Sequence, residues 1–162
     1  MTFEVPFTSS LQRVEKDWID YNGHLNMAFY NVIFDRNIDQ ALELLGLGID
    51  YLNQNNASYF TLEAHVTYLQ ELKLDAPLRV TLQLLDYDEK RLHCFQEIYH
   101  AEDNFLAATS ENISLHVDMA IKKSAPFPQN ILTRIESMHT AHRVLERKPQ
   151  VGHVIGIPKK SA

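Results

Sequence analysis

The spacing of apolar residues changes period along the chain, and that change divides it into elements. Between Met27 and Gly48, Phe34, Ile38, Leu42 and Leu45 recur every three or four positions, and Phe29, Val32 and Ile33 widen the stripe. Asp35, Arg36, Asp39, Gln40 and Glu43 fall between them, so the pattern predicts one long helix, mostly buried because its apolar face is so wide. Asn26 suits the N-cap and Gly46 the stop. In residues 60–68 the period becomes two: Phe60, Leu62, Ala64, Val66 and Tyr68 alternate with Thr61, Glu63, His65 and Thr67. Leu78, Val80, Leu82 and Leu84 repeat that rhythm, and both stretches predict strands with the apolar row on the buried face.

Residues 91–100 and 105–119 read as two further strands, and the connections DYDEK and AEDN are short and polar, as hairpins require. Residues 11–16 alternate weakly and predict a first strand. Residues 49–59 read as a loop with at most a short helical turn, 129–146 as a second helix, and 147–162 as an irregular tail. The order is strand, long helix, then four strands in meander. The expected architecture is therefore α+β: a curved antiparallel sheet wrapped around one long central helix, in a single domain spanning residues 1–162. Its open edge strands predict pairing with a second copy, as a homodimer or homotetramer.

Composition narrows the function. The chain has 162 residues, 45% of them hydrophobic, and a formal net charge of -6. That balance excludes a general nucleic-acid binder, which needs surplus cations to neutralise phosphates. No apolar run approaches the roughly 20 residues of a membrane helix. The N-terminus carries no basic leader followed by a long apolar run, and Cys94 is the only cysteine; both point to a cytoplasmic protein without disulfides. Cys94 has no nucleophile signature and is expected to be half-buried. His139 and His142 lie three residues apart on a predicted helix with no third ligand nearby, so a solvated helix face is expected there and no metal site. There is no G-x-S-x-G elbow and no glycine-rich phosphate loop.

The chemistry concentrates in WIDYNGHLNMAFY, residues 18–30. Asp, Asn and Gly are common turn residues, and the segment is explained at the simplest level as a turn followed by an N-cap. The acid Asp20 nevertheless lies just before a helix start, where free N–H groups and the dipole favour negative charge. The segment resembles D-x-D-x-x-G-H-V-N-N-x-x-Y, the common motif of 4-hydroxybenzoyl-CoA thioesterase-like proteins of the hotdog fold. It keeps Asp20, Gly23, His24, Asn26 and Tyr30, and replaces the first Asp by Trp18 and the second Asn by Met27. The likeness continues through HVTYLQELKLDAPLRV, with an aromatic residue at Tyr68 and an acid-led turn at Asp75.

The resemblance implies hydrolysis of an acyl-CoA thioester without a metal or redox cofactor. Asp20 would attack the carbonyl or activate water. The backbone N–H of Met27 would hold the developing oxyanion, and His24 and Asn26 would orient the acid, a water or the loop. Gly23 would let the backbone turn tightly against the substrate. Trp18, Tyr21, Tyr30, Tyr59, Phe60 and Tyr68 are candidate walls for the acyl group, suited to an aryl ring or a quaternary ammonium. Glu63 and His65 share a strand face and are candidates to face a groove between subunits. Lys122 and Lys123, with Arg143, Arg147, Lys148, Lys159 and Lys160, are candidate contacts for CoA phosphates. The tail RKPQVGHVIGIPKK also resembles that of betainyl-CoA thioesterases of carnitine breakdown. Two rival readings stay open: a hotdog hydroxyacyl dehydratase and a non-catalytic acyl-CoA-binding protein.

Overall fold

The computed structural model describes residues 2–157. It contains strands β1 (Phe7–Thr8) and β2 (Gln12–Arg13), a 3-10 turn at Lys16–Trp18, and helices α1 (Met27–Leu45) and α2 (Ile49–Asn55). Strands β3 (Ala57–Tyr68), β4 (Pro77–Tyr87), β5 (Arg91–His100), β6 (Leu106–Asp118) and β7 (Lys123–Ser124) and helix α3 (Gln129–His142) follow.

Helix α1 starts and stops where its side chains dictate. The Asn26 Oδ1 accepts the Ala28 N–H at 2.9 Å, satisfying one of the donors that a helix start leaves free. Gly46 ends the helix at φ 81°, a left-handed turn open to glycine without a Cβ penalty. Between these caps Tyr30, Ile33, Phe34, Ile38, Ala41, Leu42 and Leu45 are buried against the sheet. Asn37, fully buried on the same helix, donates to the Gln96 Oε1 at 2.6 Å and to the Thr81 carbonyl at 3.4 Å, so a polar link crosses a largely apolar interface.

All seven strands join one antiparallel sheet, in the order β1-β4-β5-β6-β3, with β2 extending along β4 and β7 along β6. The expected meander holds for β4, β5 and β6 only. β3 crosses to the far edge and pairs with β6, because a two-residue period fixes which face a strand buries, not which neighbour it takes. β3 also carries a bulge between Thr61 and Glu63. One extra residue inverts the alternation: Tyr59 and Val66, an odd number of positions apart, both pack on the core, whereas Phe60 and Leu62 are 47% and 57% exposed. The expectation that these two are buried is thereby corrected.

The predicted strand at 11–16 is shorter than its alternation suggests. Val14 is buried beside β2 and the chain then tightens into the 3-10 turn. Residues 49–55 form a full two-turn helix, and α3 ends at His142, four residues early. Cys94 is buried in the core, not half-buried, and burial pushes its thiol up to about 12. His142 is likewise enclosed, not solvated. Its Nδ1 accepts the Leu84 N–H at 2.9 Å beside the β4 bulge, and its Nε2 donates to the Glu4 carbonyl at 3.0 Å. Burial holds its imidazole below the ordinary histidine range. Residues 143–157 are irregular, as predicted for the part of the tail among the described residues, and are tied to the sheet: Lys148 lies 3.4 Å from Glu97, and the Gly152 N–H donates to Glu111 at 2.7 Å.

Candidate active site

The motif folds into a tight loop closed by an Ile19–Leu25 bridge. The Asp20 N–H donates to the His24 carbonyl and the Gly23 N–H to the Asp20 carbonyl, each at 3.0 Å. Gly23 takes φ 81°, which is why a glycine stands there. The Asn22 N–H donates to the Asp20 Oδ1 at 2.8 Å, an Asx turn that fixes the carboxylate. The side chain is only 14% exposed, and its second oxygen has no partner among the described residues. The His24 Nδ1 stands 3.9 Å from the Asp20 carboxylate, too far for a hydrogen bond.

Two bonds aim this loop at the helix. The Asn26 N–H donates to the Trp18 carbonyl at 2.9 Å, and the Leu25 N–H to the Leu72 carbonyl at 2.7 Å. The Ala28 N–H is taken by the Asn26 side chain and the Phe29 N–H by the Asn26 carbonyl. The Met27 N–H has no partner among the described residues. It is a free donor in the first turn of a 19-residue helix whose dipole favours negative charge.

Asp20, Tyr21, His24, Asn26, Met27, Tyr30 and Tyr68 line one cavity of about 470 Å³. Leu25 from the motif, and Leu69, Gln70 and Glu71 from the end of β3, complete its wall. Tyr30 is buried, and Tyr68 meets it edge-on with ring centroids 5.1 Å apart. The Tyr68 hydroxyl donates to the Met27 carbonyl at 3.3 Å. Tyr21 stands on the rim, 98% exposed. The sequence gives no direct sign of Gln70 or Glu71, since only the crossing of β3 brings them to the motif. The one hint is the short polar run after Tyr68.

Other candidates lie elsewhere. Trp18 does not line this cavity: it is 5% exposed, stacked on Phe29 at 5.7 Å with the Arg36 guanidinium 4.8 Å above its ring. It braces the loop against α1. The Tyr59 hydroxyl donates to Asp39 at 2.6 Å in a separate cavity of about 260 Å³. Burial, then the hydrogen-bonded Asp39, drives its phenol far above the ordinary range. Phe60 is exposed on the β3 edge. Glu63 and His65 lie beside His93, Glu111 and His153, in a depression of about 300 Å³ bordered by the tail. Lys122 and Lys123 sit at the β6–β7 turn, beside the start of β3 and so at the opposite end of that strand from Tyr68. Lys148 is paired with Glu97, and Lys159 and Lys160 fall outside the described residues.

No helix among the described residues is long and apolar enough to cross a membrane. The chain is 39% identical over 157 residues to a betainyl-CoA thioesterase of Pseudomonas aeruginosa, covering 97% of this chain and 94% of that protein. An L-carnitine dehydrogenase/betainyl-CoA thioesterase of Rhizobium meliloti is 35% identical over 144 residues, which span 89% of this chain and 29% of that longer protein. A Staphylococcus aureus protein solved in complex with CoA superimposes with a TM-score of 0.89 at 34% identity, covering 98% of this chain and 99% of that one. Residues 14–135, from the strand before the motif loop into α3, match the thioesterase-like superfamily. With this match and the curved sheet around α1, the chain belongs to that superfamily, as a hotdog-fold protein.

Proposed function

We propose that this chain hydrolyses an acyl-CoA thioester, with betainyl-CoA as its substrate. The carrying observation is that the Asp20 carboxylate and the unpartnered Met27 N–H line one cavity at the start of a buried helix. The thioester carbonyl oxygen accepts from the Met27 N–H, and the helix dipole favours the charge that develops on it. Asp20 supplies the attack, either by taking a proton from a water that adds to the carbonyl carbon or by adding to it directly, with water then cleaving the anhydride. The C–S bond breaks, the CoA thiolate leaves and is protonated, and the free acid remains. Near-full-length similarity to the Pseudomonas aeruginosa enzyme supports betaine as the acyl group.

The working unit in this reading is a homodimer. β3 is an open edge with Phe60 and Leu62 exposed along it, which suits pairing with a second copy. An antiparallel β3–β3 pairing would bring Lys122 and Lys123 of the second copy to the end of the groove that holds this chain's motif; the pantetheine arm keeps the CoA phosphates away from the thioester, so these cations would meet the phosphates outside the acyl cavity.

The test is thiol release from betainyl-, benzoyl- and butanoyl-CoA. Betainyl-CoA turnover is expected, with a loss of at least about 100-fold in Asp20→Asn. Tight binding of all three without thiol release would favour the non-catalytic reading, and full activity in Asp20→Asn would remove Asp20 from the chemistry. Label in Asp20 after a single turnover in heavy-oxygen water would establish direct attack, with water cleaving the anhydride at the Asp20 carboxyl carbon; trapping of the acyl-Asp20 anhydride covers cleavage at the acyl carbon, which leaves the label in the product.

A further inference from the structure

We propose that Glu71, with Tyr30 and Tyr68, forms a subsite that selects a short acyl group bearing a fixed positive charge over its neutral isostere. The proposal rests on the thioesterase reading above and names what reads the acyl group.

In betainyl-CoA one methylene separates the trimethylammonium from the thioester carbon. The groups that sense that charge must therefore sit beside those that hold the carbonyl. Tyr68 does so, because its hydroxyl donates to the carbonyl of Met27, the residue whose N–H faces the oxyanion. Its ring is 43% exposed, and the edge-on contact with buried Tyr30 holds it in place. Ring faces attract quaternary ammonium groups through their quadrupole. Of the other aromatic candidates, Trp18 is stacked and already lies under Arg36, Tyr59 is bonded to Asp39, Phe60 lies on the β3 edge, and Tyr21 stands on the rim with its ring almost wholly in solvent.

The charge of the wall carries the argument further. The cavity has 11 lining residues, which include two carboxylates, Asp20 and Glu71, and no lysine or arginine, although the chain has 15 such cations. A neutral acyl group gains nothing from such a wall, whereas a cation does. Asp20 is occupied by the chemistry, which leaves Glu71 as the counter-charge. Its backbone is fixed on both sides: the Gln70 N–H donates to the Ala107 carbonyl at 3.0 Å, and the Leu72 carbonyl accepts from Leu25 at 2.7 Å. Glu71 is close enough to Tyr30 to help raise its phenol, after burial and against a hydrogen bond from the Leu72 backbone. Its ion-pair partner among the described residues is Lys73, 3.8 Å away, which with Arg13 lines a neighbouring cavity that Glu71 also borders. The Glu71 and Lys73 side chains are both exposed, so the pair is weak and competes only modestly with a bound ammonium.

The experiment compares kcat/KM for betainyl-CoA with that for tert-butylacetyl-CoA, which replaces the nitrogen by carbon and keeps the shape. Wild type is expected to prefer the cation. In Glu71→Gln the ratio is expected to fall about tenfold, equivalent to about 1.4 kcal/mol of transition-state discrimination. Lys73→Gln, at an exposed position, serves if Glu71→Gln misfolds, and is expected to raise the ratio about twofold by freeing Glu71. A Glu71→Gln variant that slows both esters equally, a Lys73→Gln variant that lowers the ratio, or a wild type that hydrolyses both esters equally well would overturn the subsite and leave the thioesterase reading standing. A wild type that hydrolyses neither would remove that reading and the subsite with it.

Discussion

Replacing Met27 by proline deletes one hydrogen-bond donor and little else. Proline is favoured at the first helical position, where its fixed φ suits the helix and its missing N–H costs no intrahelical bond. It also restricts the preceding residue to extended conformations, and Asn26 already has φ -65° and ψ 141°. The Met27 side chain is 64% exposed, so little packing is lost. No neighbour can replace the donor, because the Ala28 and Phe29 N–H groups are both taken by Asn26. The loss should thus be that of a whole oxyanion donor, about 100- to 1,000-fold in kcat or about 2.7–4 kcal/mol. The assay is thiol release from betainyl-CoA alongside a thermal melt, with Met27→Ala setting how much belongs to the side chain. A folded Met27→Pro protein within about threefold of Met27→Ala would refute the assignment of that N–H.

Three further outcomes follow from the structure. His142 is held neutral by burial, so the unfolded chain binds the additional proton as pH falls below about 6.5. Stability should therefore decline with acidification below that pH, and His142→Phe should flatten this slope. At pH 8 the same variant should lose about 2–4 kcal/mol in denaturant melts, since Leu84 N–H and Glu4 C=O are left without partners. Gly23→Ala should cost about 1 kcal/mol: a Cβ there meets nothing within 4 Å, so the penalty is that of φ 81° alone, read as a melting point lower by a few degrees. If the proposed β3–β3 dimer forms, charging the open edge with Phe60→Lys and Leu62→Lys should convert it to monomer in light scattering; a dimer mass unchanged by the substitutions would place the contact elsewhere.

The legible parts of the fold are those fixed by a local period. α1 was readable to the residue at both ends because Asn26 and Gly46 cap it through bonds made within a few positions. β5 was readable because short polar turns bound it on both sides. β3 was readable as a strand but not in its facing or its neighbour, since its bulge inverts the alternation and its partners on β6 lie 40 to 61 positions away. His142 was misread for the same reason. An i, i+3 histidine pair looks like a solvated helix face until β4 and the N-terminal segment fold over it.

The site divides along the same line. Asp20, Gly23, His24, Asn26 and the Met27 N–H form a loop and a cap built from neighbouring residues, so their proximity follows from sequence spacing. Trp18 was read as substrate wall because it replaces an acid of the motif, but a large ring beside a helix finds more contact against Phe29 than in an open cavity. The opposite wall, Tyr68 to Glu71, is reached only because β3 crosses to the far edge and the Leu25–Leu72 bond then draws its end back to the motif. The half of the cavity assigned to chemistry is therefore local in sequence, and the half assigned to choosing the acyl group is not. That separation would let residues 69–71 change the substrate without disturbing the Asp20 loop or the helix start that would carry out the hydrolysis, whereas Tyr68 is bonded to that start through the Met27 carbonyl.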